Sequence, residues 1–277
     1  MNQPTVQLGW LKSPYPLWPQ GAIPLEAPWG NSNYNALQVM LQKRYTGGTT
    51  FTAGYTWSKI IADTADGIWS DNLQAGVVQR SVYCRRCERA VSSYDFPHRF
   101  TFSAVGELPF GRGKRWGSKM PGVLDQFVGG WQTNAILTLA SGPPLVFNTA
   151  VNNSYSFGGQ QHPDYTGVNA RMGKEQSLDE WFDTAQFSQP ADFTFGTLGR
   201  TFTDVRSDWT RNLDFSLFKN FSITEKLRLQ FRAETFNLTN TPVFAAPGTT
   251  VGTGSFGIVS SQSNSPRVVQ LALKFTF

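Results

Sequence analysis

Charge is scarce in this chain. Asp, Glu, Lys and Arg make up 16% of its 277 residues, where a soluble domain carries roughly 25%. The net charge of +5 is spread thinly, without the basic stripe that nucleic-acid binding requires. Nowhere do about 18 apolar residues follow one another, which excludes a transmembrane helix. Histidine and cysteine are nearly absent, with two of each. The cysteines form a C-x-x-C at Cys84 and Cys87, and a zinc site there would need two further ligands that the neighbouring sequence lacks.

Aromatic residues are abundant: 22 Phe, 9 Trp and 8 Tyr, alongside 26 Gly and 16 Pro. Mean hydropathy is nevertheless negative. Such a balance suits many short strands with turn-rich connections, in which polar residues alternate with apolar ones. Seven segments alternate in this way. The first, 35–45, sets Leu37, Val39, Leu41 and Tyr45 against Gln38, Gln42 and Arg44. The second, 49–59, sets Phe51, Ala53, Tyr55 and Trp57 against Thr50, Thr52, Thr56 and Ser58, after a turn at Thr46, Gly47 and Gly48. The third is 98–108, the fourth 131–140 and the fifth 211–219. In the sixth, 226–235, Leu227, Leu229, Phe231 and Ala233 alternate with Arg228, Gln230, Arg232 and Glu234. The seventh is 267–277, with Val269, Leu271, Leu273, Phe275 and Phe277 on one face.

Alternation alone also suits a soluble sandwich, whose apolar face packs on a second sheet. The connections separate the two readings. Those at 46–48, 109–130 and 220–225 are the shorter ones, and those at 60–97, 141–210 and 236–266 are long. Short and long alternate, so the short ones fall on one side. Membrane barrels place short turns in the periplasm and long loops outside. The expectation is an all-β, antiparallel transmembrane β-barrel in the cell outer membrane, its apolar face in contact with lipid. Tyr45, Trp57, Phe100, Trp131, Phe275 and Phe277 lie near strand ends, where an interfacial aromatic girdle would sit.

The stretch SSYDFPHRFTFSAVGELPFGRGKRW at 92–116, the GGWQ at 129–132 and the tail at 236–277 resemble the Oar-like, carboxypeptidase-regulatory-domain group of TonB-dependent receptors. The likeness is weakest in the long loops. It implies a barrel of about 22 strands, a plug domain, a TonB box that engages the TonB complex, and uptake of a bulky nutrient such as a saccharide or peptide. The seven or eight strands here are then part of that larger wall: residues 1–33 as a surface loop or incomplete strand region, residues 34–277 as the C-terminal part of the barrel. The first residues show no signal peptide, consistent with a fragment whose plug and remaining barrel lie elsewhere. Terminal Phe277, after apolar residues at alternate positions, resembles the signal read by the barrel-assembly machinery. The alternatives are a small freestanding porin or adhesin, with one more strand near 3–8, and a soluble carbohydrate-binding sandwich.

No catalytic constellation, cofactor site or metal site emerges, and the reading is not an enzyme. Asp95 and His98 lack a nucleophile elbow beside them. Gly111, Arg112, Gly113, Lys114 and Arg115 form a basic glycine-rich turn without the Walker pattern, read as a solvated periplasmic turn. For Cys84 and Cys87 a loop disulfide is the leading reading in an oxidising compartment, ahead of free thiols. Asp and Asn residues around 150–164 match no calcium loop, and Tyr155, Phe157 and Tyr165 could stack sugars or close the barrel mouth.

Overall fold

The computed structural model describes residues 30–63, 84–154, 161–171, 176–224 and 227–277. Seven long strands dominate it: β1 (Ser32–Thr46), β2 (Thr49–Ala62), β3 (His98–Glu107), β4 (Trp131–Ala140), β5 (Thr210–Ser222), β6 (Arg228–Phe236) and β7 (Val268–Thr276). Each pairs antiparallel with the next, so sheet order equals chain order. The short strand Ala90–Val91 adds to the end of β2. A lipid-crossing strand needs about 9–11 residues, and the shortest strands here, β6 and β7, have 9. No helix among the described residues is long and apolar enough to cross a membrane.

All seven expected strands form, with ends moved by a few residues. β1 begins at Ser32, inside the region expected to precede the barrel wall. Residues 1–29, with the extra strand considered near 3–8, lie outside the described residues, as does Lys226. The first turn is tighter than expected. Thr46 pairs with Thr49, leaving Gly47 and Gly48 as a two-residue hairpin loop with φ of 64° and 82°. Both positions demand left-handed backbone, which is why both are glycine. The connection between β3 and β4 holds a short helix that alternation did not reveal, α1 (Gly122–Val128).

Register explains why the strands act as one wall. Leu41 faces Ala53, Ala53 faces Phe102, Phe102 faces Leu137, and Leu137 faces Leu213. Further along, Leu217 faces Ala233, which faces Leu271, and Phe231 faces Leu273. Because side chains alternate, this register carries every apolar row onto one face and polar rows such as Asn134, Ser216, Glu234 and Gln270 onto the other. Among the described residues no second sheet covers the apolar face, as a sandwich would require: Leu37, Val39, Leu41, Leu271, Leu273 and Phe275 are all exposed. A bulge breaks the register of β1 between Lys43 and Thr46 and corrects one expectation. Tyr45 was expected beside Leu41; instead its hydroxyl donates to Glu107 Oε1 at 2.9 Å, on the polar face.

Buried apolar residues gather instead in the long connections. Leu145, Phe147, Ala170, Trp181, Phe182, Phe187, Leu198, Phe202, Val205, Val251 and Val259 form one cluster, contributed by the β4–β5 and β6–β7 connections. This crown caps one end of the wall. Phe147 is its hub, with ring centroids 5.1 Å from Phe182, 4.5 Å from Phe187 and 5.4 Å from Phe202. A parallel pairing of Asn148–Thr149 with Thr250–Val251 ties the two connections together.

The two faces should respond oppositely to charge. Leu271→Arg, on the apolar face of β7, is expected to cost about 2–4 kcal/mol in a bilayer. Gln270→Arg, one residue away on the polar face, should cost far less. Urea unfolding of the two variants in lipid vesicles, followed by tryptophan fluorescence, measures the difference; equal costs would contradict the assignment of faces.

Candidate functional site

The apolar face ends in aromatic residues at both edges of the wall. At the crown end, the rings of Tyr55, His98 and Trp209 stack in series, with centroids 6.3 and 6.4 Å apart. Tyr55 Oη lies 2.8 Å from His98 Nδ1, and Trp57 is exposed beside them. At the short-turn end, Trp131 meets Phe231 edge-on at 6.1 Å. Lys219 lies between rings there, its Nζ 5.6 Å from the Trp131 centroid and 5.0 Å from that of Phe221, and it donates to the Gly129 carbonyl at 2.5 Å. Amphipathic rings with one apolar and one wet end suit the two boundaries of a hydrocarbon layer.

The polar face carries a hydrogen-bonded ladder. Gln230 Nε2 donates to Asn220 Oδ1 at 2.9 Å, and Arg232 Nε donates to Gln230 Oε1 at 2.6 Å. Arg228, Arg232 and Glu234 all belong to β6, the first two exposed. Near the short turns, Glu107 receives Tyr45 and Lys114, the latter at 2.5 Å. The Lys114 ammonium is held above its ordinary pKa, chiefly by that hydrogen bond and then by the carboxylate charge.

Two arginines staple the crown to the wall. Arg200, 1% exposed, donates Nε to the Glu88 carbonyl at 3.1 Å and Nη2 to the Ala62 carbonyl at 2.9 Å. Arg206 reaches the Asp95 carbonyl at 2.9 Å, the Asp95 carboxylate at 2.8 Å and the Gly142 carbonyl at 3.2 Å. Asp95 in turn accepts the Ile60 amide at 2.9 Å. Buried carbonyls must find donors, and here one connection supplies them to another across more than 100 residues of sequence. Gly142 permits the approach: a Cβ there would collide with the Ser207 carbonyl.

Sequence reasoning did not single out Arg200 or Arg206, nor that the long connections share a core. The available signal was aromatic density at Phe147, Trp181, Phe182, Phe187 and Phe202, far too apolar for solvated loops. Among the residues it did single out, Asp95 and His98 sit three positions apart but serve different partners. Asp95 holds Arg206, while the His98 backbone amide donates to the Ser141 hydroxyl at 2.9 Å. A disulfide joins Cys84 to Cys87, linking the N-cap of a short helical turn, Arg85–Glu88, to a residue within it. Tyr165 is not a free stacking platform: it packs on Phe187 at 5.3 Å and Phe202 at 5.2 Å. Tyr155 and Phe157 lie outside the described residues. Among the described residues no three His, Cys, Asp or Glu side chains converge as metal ligands.

A recess of about 440 Å³ opens where the crown meets the wall, lined among others by His98, Arg171, Trp181, Asp204, Arg206 and Trp209. Its walls mix both charges with indole rings.

A sequentially paired antiparallel wall with an apolar outer face, aromatic ends, short turns at one end and folded loops at the other defines a membrane β-barrel wall. The family model described as an outer membrane beta barrel domain matches residues 1–270, and the chain belongs to that family. Its location is therefore the cell outer membrane. No curated protein and no solved structure matches the chain.

Two predictions concern the crown. Arg200→Met removes the donor from two buried carbonyls, each worth roughly 1–3 kcal/mol when left unsatisfied. Crown amides should then lose hydrogen-exchange protection while β6 amides keep theirs; unchanged crown protection would remove Arg200 as a staple. Tyr165 is held above the ordinary tyrosine pKa, first by burial and then by the charge of Asp204. The fold therefore favours the protonated phenol. That contribution is complete below the ordinary value of about 10 and declines as pH rises through the raised one. Tyr165→Phe should flatten this decline in crown stability, measured by near-ultraviolet circular dichroism between neutral and strongly alkaline pH.

Proposed function

We propose that the chain is the C-terminal wall of a TonB-dependent outer-membrane receptor that imports a bulky nutrient such as a saccharide or peptide. The observation carrying this reading is the open sheet. Among the described residues β1 and β7 each pair on one side only, and both are exposed along almost their whole length. In hydrocarbon an unpaired strand edge leaves backbone donors and acceptors without partners at several kcal/mol each. On this reading further strands complete the wall, as they would in a barrel of about 22. The partners of this reading are the rest of the barrel and a plug against the polar face, where Arg228, Arg232 and Glu234 would line the lumen. The TonB complex would engage through a region N-terminal to this segment. The chain then works as wall and surface loop, without a catalytic role.

The crown supports a receptor over a simple pore. Its long connections are not solvated tethers but a folded layer with an aromatic core, suited to hold a binding surface above the lumen. Phe277, 97% exposed just beyond β7, fits recognition by the barrel-assembly machinery, which pairs a terminal strand during insertion. The disulfide at Cys84 and Cys87 fits the oxidising outer side.

The test is the reading frame upstream of Met1. Continuation in frame into more alternating strands, a plug and a TonB box supports the receptor. A stop codon followed by a genuine start and signal peptide would overturn it in favour of a small freestanding porin or adhesin. A chain that stays monomeric in water without detergent would point instead to a carbohydrate-binding soluble protein, against the exposed apolar face.

A further inference from the structure

The connection between β3 and β4 contains the basic turn that the receptor reading leaves without a role, followed by α1. None of the residues of α1 is buried. Val123 is 72% exposed and Phe127 67%, with Leu124 and Val128 exposed beside them. Spacings of one, four and five residues put these four side chains on one helical face. The flanking Phe110 and Trp116 are exposed as well, their rings 5.1 Å apart. A seven-residue helix with none of its residues buried and its apolar side in the open has no packing that would hold it at a solvated turn.

The position of α1 supplies the reason. Trp131 Nε1 donates to the Phe127 carbonyl at 2.8 Å, and Lys219 donates to the Gly129 carbonyl that follows the helix. Both side chains lie on the lipid-facing rows of β4 and β5, since Trp131 and Lys219 face each other in line with Leu137 and Leu213. The last carbonyls of a helix lack internal partners, and here the outer wall of the barrel provides them. Thus α1 is fastened outside the lumen, continuous with the apolar belt, at the short-turn end that faces the periplasm. Charge completes the pattern. Residues 108–130 contain Arg112, Lys114, Arg115 and Lys119 against the single acid Asp125. Lys114 is engaged by Glu107 and Asp125 accepts the Arg112 amide at 2.6 Å, while the Arg112, Arg115 and Lys119 side chains are exposed.

We propose that this connection is an interfacial anchor binding anionic phospholipid of the periplasmic leaflet, with α1 lying at the hydrocarbon boundary and Arg112, Arg115 and Lys119 meeting lipid phosphates. Basic residues beside an exposed apolar helical face are the chemistry of attachment to anionic bilayers. The inference rests on the lipid-facing wall, not on the identity of any imported substrate.

The experiment uses the full chain reconstituted into bilayers, with one nitroxide introduced at a time by Phe127→Cys, Leu271→Cys or Asp192→Cys. Collision with oxygen is compared with collision with a water-soluble nickel complex. The oxygen-to-nickel ratio at 127 should approach that at 271, in the lipid belt, and exceed that at 192, in the crown, by about threefold or more. Replacing about one third of a phosphatidylcholine bilayer with phosphatidylglycerol should raise the ratio at 127 further. Combined Arg112→Gln, Arg115→Gln and Lys119→Gln should abolish that rise. A lipid-like ratio at 271 with an aqueous one at 127 overturns the anchor and leaves the barrel wall standing. Aqueous ratios at both positions overturn the wall placement and the anchor with it. Indifference to phosphatidylglycerol overturns the anionic-lipid assignment.

Discussion

Backbone hydrogen bonding in a medium without water governs the rest of this molecule. A peptide group in hydrocarbon must find its partner within the protein, and a strand can do so only by pairing along both edges. Sequential antiparallel pairing of β1 to β7 satisfies every interior edge, and a single register carries all the apolar rows to one face. Among the described residues β1 and β7 each pair on one side only, and the same requirement is what makes those two edges matter. It also accounts for the bulge in β1, which lies at the end of the strand, beyond the apolar rows, where water can satisfy an interrupted ladder.

The protein meets two solvents and builds differently for each. Along the wall, large apolar side chains are left exposed because lipid receives them, and no interior core is needed. Outside the wall the chain is back in water, and the crown follows the rules of a soluble domain. Phe147 and Phe187 stack face to face, and Phe182 and Phe202 meet both edge-on. Arg200 and Arg206 satisfy the carbonyls that this packing removes from water. At the join, Asp95 bridges the end of β2 to Arg206, so the rigidity of the crown depends on the wall beneath it.

The boundaries between the solvents are where side chains with two natures collect. Tyr55, His98 and Trp209 mark one, and Trp131, Lys219 and Phe231 the other. Lys219 illustrates the physics: its ammonium lies near the Trp131 and Phe221 rings and donates to the Gly129 carbonyl at the edge. Charge at such a depth is tolerated because the side chain can reach a polar partner without leaving the wall.

Much of this was legible from residues alone. Strict alternation in 226–235 and 267–277 located β6 and β7, since a period of two can fill only one face of a strand. Alternating short and long connections assigned the ends of the wall, and Gly47 with Gly48 announced a hairpin because both need left-handed backbone. Other features were not legible. The turn of Tyr45 toward Glu107 depends on a bulge, a single unpaired residue that leaves no mark in the pattern. The crown joins segments as far apart as Ala62 and Arg200, and no local periodicity records which carbonyl a distant arginine will reach. α1 was hidden because seven residues span too few turns to display a helical repeat. Which residues form the wall and which face is apolar could be read from the residues, because both follow from alternation, a property of neighbours, and the lengths of the connections then pointed that face to lipid. How the long connections share a core and where the basic turn lies emerged from the fold alone, because those depend on contacts between residues remote in the chain.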